Sequence, residues 1–99
     1  MEANLQKYQA FVATVECGSF TKASEALHYS QSGVSRMISD LEQEWSVNLL
    51  ERHKGGVRLT TDGARILPYA KSLCAEYEKL LVAVEEVRGL QSGLIRIAT

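Results

Sequence analysis

The sequence predicts a mainly α-helical fold made of three short helices, a two-stranded β-hairpin and one long final helix. Apolar residues recur at helical spacing through three segments before residue 46, and a Gly-Gly pair separates two short extended segments after it. Beyond residue 60 the apolar residues follow steps of four and three. With 99 residues and 45% hydrophobic content, the chain can bury one small core.

The first two helices are indicated by apolar stripes and a serine cap. The stripe of the first helix consists of Leu5, Tyr8, Val12 and Val15, with Phe11 beside it. Gly18 ends this helix, and Ser19 is the predicted N-cap of a second helix from about Thr21 to Leu27. The residues that this second helix should bury against the first are Phe20, Ala23, Ala26 and Leu27.

The third helix has two dissimilar faces. It follows a turn at residues 28–30, with Ser30 as the predicted N-cap. Its core face, which spans about 60° of a helical wheel, consists of Val34, Ile38, Leu41 and Trp45. The small or polar residues on the other side are Ser32, Arg36, Ser39 and Gln43, with Ser35 to one side and Gln31 in the exposed first turn. A helix that is braced by its predecessor and polar on its outer face can enter a DNA groove, so residues 18–52 predict a helix-turn-helix.

Two extended segments, Leu49–Arg52 and Val57–Thr60, flank Lys54-Gly55-Gly56 and predict a hairpin. A two-stranded hairpin is marginally stable alone, so Val57 and Leu59 should pack on the helical core together with Leu49 or Leu50. This hairpin is the wing of a winged helix-turn-helix.

The charge is segregated along the chain. The formal net charge is -1, which is unusual for a module that binds nucleic acid. However, four acids cluster without an intervening lysine or arginine, namely Asp40, Glu42, Glu44 and Glu51. The following segment, residues 52–58, holds Arg52, His53, Lys54 and Arg58 and no acid. The wing is therefore locally basic, although its cations are also typical of a charged edge that discourages strand pairing.

The long helix should begin at a cap formed by Thr60 or Thr61 and carry one apolar stripe. Its members are Ile66, Ala70, Leu73, Tyr77, Leu80, Val84 and Val87. This stripe is typical of a helix that pairs with a second copy, and 25 to 30 residues at about 1.5 Å each outreach so small a domain. The alternative is a helix that folds back on its own domain. Pro68 predicts a bend, and Gly89 with residues 92–93 predicts the end of the helix.

Residues 94–99 alternate as a strand would and have no partner strand in this sequence, which predicts the start of a second domain. The predicted divisions are residues 1–60 for the winged helix-turn-helix, 61–91 for the linker helix and 92–99 for a truncated further domain. Cys17 and Cys74 lack metal-ligand spacing, so no cofactor or metal is expected. No apolar run reaches membrane-spanning length and no signal peptide is recognisable, so the expected location is the cytoplasm.

Four segments resemble the N-terminal region of LysR-type transcriptional regulators, a bacterial family. They read LQKYQAFVATVECGSF, FTKASEALHYSQSGVSRMISDLE, VNLLER and LTTDG. The resemblance covers nearly the whole chain and implies a winged helix-turn-helix, a linker helix that pairs antiparallel with another subunit's, and a C-terminal effector-binding domain that starts near GLIRIAT. It also implies that DNA is contacted by Gln31, Ser32, Ser35 and Arg36 of the third helix and by Arg52, Lys54 and Arg58 of the wing.

The chain departs from the family pattern at two places. Gly33 stands in a region where proline or alanine is common, and it should loosen the first turn of the third helix by roughly 1 kcal/mol relative to alanine. Trp45 and Ser46 replace the usual Leu-Gly, so Ser46 should adopt a left-handed conformation that glycine accepts more easily.

Two functions compete at this point. The first is a sequence-specific regulator that binds a two-fold symmetric site on double-stranded DNA as a homodimer, with a small-molecule effector bound only by the missing domain and higher oligomers open in the full-length protein. The second is a winged-helix module for protein association that does not bind specific DNA. No phosphate loop, nucleophile-base pair or metal-ligand motif indicates an enzyme. Steep weakening of binding by salt would favour the first function.

Overall fold

The computed structural model describes residues 5–92 and has the predicted order of elements. The helices and strands are α1 (Leu5–Cys17), α2 (Phe20–Leu27), α3 (Gln31–Trp45), β1 (Leu50–His53), β2 (Gly56–Leu59) and α4 (Thr61–Ser92). The mainly helical fold with a two-stranded antiparallel wing and a long last helix is therefore confirmed. None of the helices in these residues is long and apolar enough to cross a membrane.

The core lies where α1, α2 and α3 meet, and the start of α4 closes it. Its buried apolar members are Ala10, Phe11, Phe20, Ala23, Val34, Ile38, Leu41, Leu49 and Ala70. The predicted core face of α3 is correct, although Trp45 is only half-buried. Trp45 stacks on Tyr8 of α1, with ring centroids 5.9 Å apart.

The core differs from the prediction in two details, although Tyr8, Val12 and Val15 of the predicted α1 stripe pack against it as half-buried side chains. The fully buried side of α1 passes through Ala10, Phe11 and Thr14, because other elements cover this helix from several directions and not along one stripe. Thr14 is accommodated because its hydroxyl donates to the Ala10 carbonyl at 2.7 Å. In α2, Ala26 is exposed, and Ser24 is buried in its place with its hydroxyl donating to the Thr21 carbonyl.

Serine and threonine caps set the starts of three helices. Ser19 Oγ accepts from the Lys22 amide at 3.0 Å and Ser30 Oγ accepts from the Gly33 amide at 3.0 Å, as predicted. For α4 the cap is Thr60, whose Oγ1 accepts from the Gly63 amide at 2.9 Å. At the other end of α3, Ser46 has φ 55° and ψ 43°, which confirms the expected left-handed residue.

The wing is offset by one residue from its predicted bounds and is fixed to the α1–α2 turn. Arg52 pairs with Val57 across the hairpin, and the two turn residues are Lys54 and Gly55. The Val57 amide donates to the Gly18 carbonyl at 3.2 Å. Gly56 has φ 136°, and a Cβ at this position would collide with that carbonyl oxygen. The glycine thus permits both the turn and the close approach of the wing.

The α4 helix runs without interruption through Pro68 and Gly89 to Ser92. Gly89 therefore lies inside the helix, and the helix ends at Ser92, another of the residues predicted to end it. The bend at Pro68 stays a prediction. The first turns of α4 pack on α1, where Lys71 lies 3.7 Å from the Glu16 carboxylate. The division into domains stays a prediction, and the strand predicted at 94–99 lies outside the described residues.

Candidate nucleic-acid interface

The outer face of α3 is polar and accessible. Its exposed residues are Gln31, Ser32, Arg36, Ser39 and Gln43. Between residues 31 and 39 the helix contains no acid, so Arg36 is the single charge of its first turns. Because the opposite face is buried by α1 and α2, the helix is held firmly while these side chains remain open to a ligand.

Gly33 lies beneath the first turn of this face. A Cβ built on it would lie 3.0 Å from Ser30 Oγ, the oxygen that caps α3. The same oxygen lies 3.3 Å from Ser32 Oγ. Glycine therefore leaves room for the cap, which offsets part of its unfavourable helix propensity.

Ser35 differs from its neighbours because it faces the wing and is half-buried. Arg52 Nη2 of β1 donates to Ser35 Oγ at 2.7 Å. The Arg52 guanidinium carbon also lies 4.3 Å from the centroid of the Phe20 ring, at the start of α2. The two residues predicted separately as DNA contacts are thus joined in the free chain.

The wing carries two further exposed cations. Lys54 occupies the turn, where His53 Nδ1 accepts from the Gly55 amide at 3.1 Å and shapes the tip. Arg58 Nε lies 3.3 Å from Glu51 Oε1 on the neighbouring strand. This pair is exposed, so Arg58 can still reach a phosphate, but its charge is partly offset.

The predicted acidic cluster is dispersed in three dimensions. Glu42 turns inward, and its Oε2 accepts from the amides of Leu49 and Leu50 at 2.8 and 3.2 Å. Asp40 lies 3.5 Å from Lys7 Nζ of α1. Within residues 5–89, Arg36, Arg52 and Lys54 have no carboxylate at ion-pair distance. The surface formed by α3 and the wing is therefore more basic than the net charge suggests.

The family model described as bacterial regulatory helix-turn-helix protein, lysR family, matches residues 5–64. The chain belongs to the LysR family. A probable HTH-type transcriptional regulator, LrrA of Synechococcus elongatus, is 40% identical over 96 residues, which are 97% of this chain and 33% of LrrA. This LysR-family chain thus spans about a third of the length of that relative.

Solved structures of the family share the fold. The DNA-binding domain of BenM, solved with benA site 1 DNA, is 34% identical with a TM-score of 0.77 over 87% of this chain and 97% of that one. OxyR of Corynebacterium glutamicum, as the peroxide-bound C206S mutant, is 31% identical with a TM-score of 0.85 over 90% of this chain and 29% of its own. Of these relatives, LrrA is named as a probable transcriptional regulator, and the BenM chain is a DNA-binding domain in complex with DNA.

The apolar stripe of this LysR-family α4 is exposed along most of its length. The residues predicted for dimerisation that lie open to solvent are Leu73, Tyr77, Leu80, Val84 and Val87. Ala70 differs from these five because it is 5% exposed and belongs to the core of its own chain, although it also lines an open hollow at the base of α4; its part in dimerisation stays a prediction. Ile66 is half-buried against the same core, so the alternative of intramolecular packing holds for the first turns only.

Sequence reasoning missed two exposed apolar residues that flank this stripe, Tyr69 and Leu81. Their wheel positions beside the stripe could have revealed them. Tyr69 borders a hollow of about 290 Å³ at the base of α4. Its lining, which is almost wholly apolar, consists of Tyr8, Trp45, Ile66, Tyr69, Ala70 and Leu73.

Neither cysteine belongs to a metal-ligand cluster within the described part of the chain. Partial burial raises the pKa of the Cys74 thiol, and the negative charges of Glu78 and Glu16 act in the same direction. Because the thiolate is the reactive form, this environment lowers the reactivity of Cys74.

Proposed function

We propose that this chain is the DNA-binding and dimerisation part of a sequence-specific transcriptional regulator. The observation that carries the proposal is the exposed polar face at the start of α3, which contains no acid. The wing lies beside this face, and its Arg52 donates a hydrogen bond to Ser35 of the same helix. The BenM domain, which shares this fold and 34% of its sequence, was solved with DNA bound. Since a bacterial regulator acts on the chromosome, the proposal includes a cytoplasmic location and no catalytic activity.

The chemistry of the exposed groups suits the major groove. Gln31 can make a paired contact to adenine, and Arg36 can donate two hydrogen bonds to guanine or grip a phosphate. Ser32, beside them in the first turn, can bond either a base edge or a phosphate. The wing would add Arg52, Lys54 and Arg58 along the adjacent backbone and minor groove.

The proposal includes a homodimer formed through α4. Five apolar residues are exposed along one side of a helix that extends well beyond its domain, and a second copy can cover them. In an antiparallel pair centred between positions 78 and 79, every member of the stripe from 70 to 87 meets another. The facing pairs are Ala70 with Val87, Leu73 with Val84 and Tyr77 with Leu80. In this register the hollow over Ala70 receives Val87 of the second copy.

Effector binding and higher oligomers belong to the whole protein. Because LrrA is about three times as long as this chain, we place a small-molecule effector site and any tetramer contacts in sequence beyond α4. The resemblance to LysR-type regulators supports this placement. The DNA-binding part itself requires no cofactor in this proposal.

The test is selection of bound duplexes from a random library, carried out with the wild type and Arg36→Ala at two salt concentrations. We expect an enriched inverted repeat, weaker binding at high salt, and a loss of about 1 to 3 kcal/mol for Arg36→Ala on the selected site. Lys79→Ala is the matched control, since it also removes one exposed helical cation but lies on α4. Sequence-blind binding, or none, would support the protein-association module instead.

A further inference from the structure

The contact between the wing and α3 gives Ser35 a different role from its neighbours on the helix. Arg52 is held on two sides, by Ser35 Oγ at 2.7 Å and by the face of the Phe20 ring at 4.3 Å. Phe20 is 7% exposed, so the core fixes its ring. A guanidinium group stacked on a fixed ring and bonded at one nitrogen has a defined orientation.

This orientation leaves Arg52 able to bind DNA. Its guanidinium has five N–H donors, and Ser35 accepts from one nitrogen. The side chain has no carboxylate at ion-pair distance in the described residues, so its charge is not cancelled. A cation whose rotamers are already restricted loses less entropy when it binds a phosphate or enters a groove.

The Arg52 contact is also one of several attachments of the wing to the helical core. The hydrogen bond from the Val57 amide to the Gly18 carbonyl ties β2 to the α1–α2 turn, and the Glu42 carboxylate of α3 accepts from the Leu50 amide at the start of β1. Arg52 ties the middle of β1 to α2 and α3 through its side chain. Of these attachments, the Arg52 contact is the one that joins the wing to a residue of α3 beside its outer face.

We infer that Ser35 is a positioning residue that orients Arg52 toward DNA, and that the Phe20, Arg52 and Ser35 contacts set the spacing between α3 and the wing. This inference rests on the proposed DNA-binding function. It separates Ser35 from Gln31, Ser32 and Arg36, whose side chains are exposed on the outer face.

The test is a double-mutant cycle with Ser35→Ala and Arg52→Ala, measured by fluorescence anisotropy on the duplex that the wild type selects. Ser35→Ala should weaken binding about fivefold when Arg52 is present, the effect of losing one exposed charged hydrogen bond. In the Arg52→Ala background the same change should alter affinity less than about twofold. Ser35→Thr, which keeps the acceptor oxygen, should restore wild-type affinity.

Two controls separate positioning from stability. Ser39→Ala removes a hydroxyl from the next turn of α3. Its effect on affinity should be the same with Arg52 and with Arg52→Ala, so that the coupling energy between positions 39 and 52 is zero. Thermal unfolding of Ser35→Ala should match the wild type within a few degrees, because the lost bond is exposed. A fivefold loss that is the same with and without Arg52 would show that Ser35 contacts DNA itself and would overturn the inference. So would wild-type affinity in Ser35→Ala, whereas failure of the wild type to select a sequence would defeat the proposed function.

Discussion

Gly63 should be among the least replaceable residues of the chain, although it lies in a helix. It occupies the third position of α4 after the Thr60 cap. It is buried against Leu49, the last residue of the connection between α3 and β1. A Cβ on Gly63 would lie well inside van der Waals contact of the Leu49 carbonyl oxygen. That oxygen accepts from the Thr60 amide at 3.0 Å, so it cannot move away without weakening the bond that starts α4.

The magnitude of Gly63→Ala follows from these contacts. Overpacking against backbone costs about 1–3 kcal/mol, and a weakened Leu49–Thr60 bond adds about 1 kcal/mol. Replacing a helical glycine returns about 1 kcal/mol. The free energy of unfolding should therefore fall by about 1–3 kcal/mol, which lowers Tm by roughly 4–8 °C per kcal/mol in a domain of this size.

Gly89→Ala is the matched control on the same helix. Nothing lies within 4 Å of a Cβ at Gly89, which is exposed on the side of α4 opposite the apolar stripe. This substitution should leave Tm unchanged or raise it, because only the propensity gain remains. Circular dichroism melts of both variants at equal concentration give the comparison. If Gly63→Ala melted with or above Gly89→Ala, the packing of α4 on Leu49 described above would be refuted.

Three further predictions concern the dimer, the α3–β1 connection and the thiols. In a background without native cysteines, a chain that carries both Leu73→Cys and Val84→Cys should oxidise to a covalent dimer on a non-reducing gel, because the register pairs these two positions. Leu73→Cys alone should not form this dimer. A dimer from the single variant and none from the double variant would exclude the antiparallel register. Glu42→Gln should lower the free energy of unfolding by about 1–3 kcal/mol in urea melts, because two backbone amides lose a charged acceptor. Glu44→Gln on the same helix should leave the free energy of unfolding unchanged, and equal effects of the two variants would contradict the role of Glu42. Iodoacetamide should modify Cys74 more slowly in the folded chain than in urea at pH 8, since its raised pKa leaves less thiolate, and mass spectrometry showing equal rates would contradict this.

The sequence predicts most of what depends on neighbours within a helical turn. The caps at Ser19 and Ser30, the two faces of α3 and the left-handed Ser46 all follow from local backbone chemistry, and all are present. The prediction failed where a residue's surroundings come from elsewhere in the chain. Ala26 has helical spacing suited to burial, but it is exposed because no element of the described residues covers it. Gly89 lies inside α4, because its intrinsic cost of about 1 kcal/mol is too small to end a helix alone.

In the candidate site too, local sequence predicts some features, while others depend on contacts with distant parts of the chain. Gln31 and Arg36 are found from the wheel alone, because exposure on the outer face follows once the inner face is known. The bond between Arg52 and Ser35 joins residues 17 positions apart, and no periodicity predicts it. It depends on the wing turning at Lys54 and Gly55 and on Gly56 approaching Gly18, which are tertiary contacts.

The net charge of the chain differs in sign from the local charge of the surface formed by α3 and the wing. A value of -1 argues against nucleic acid only if the charges are mixed evenly over the surface. In the described chain, Lys7, Lys71 and Lys79 lie at ion-pair distance from carboxylates, and Glu42 is directed at backbone amides. Arg36, Arg52 and Lys54 remain without such partners on one surface. The local field that a phosphate backbone would meet is therefore set by which cations are neutralised within the fold, and the total charge does not report it.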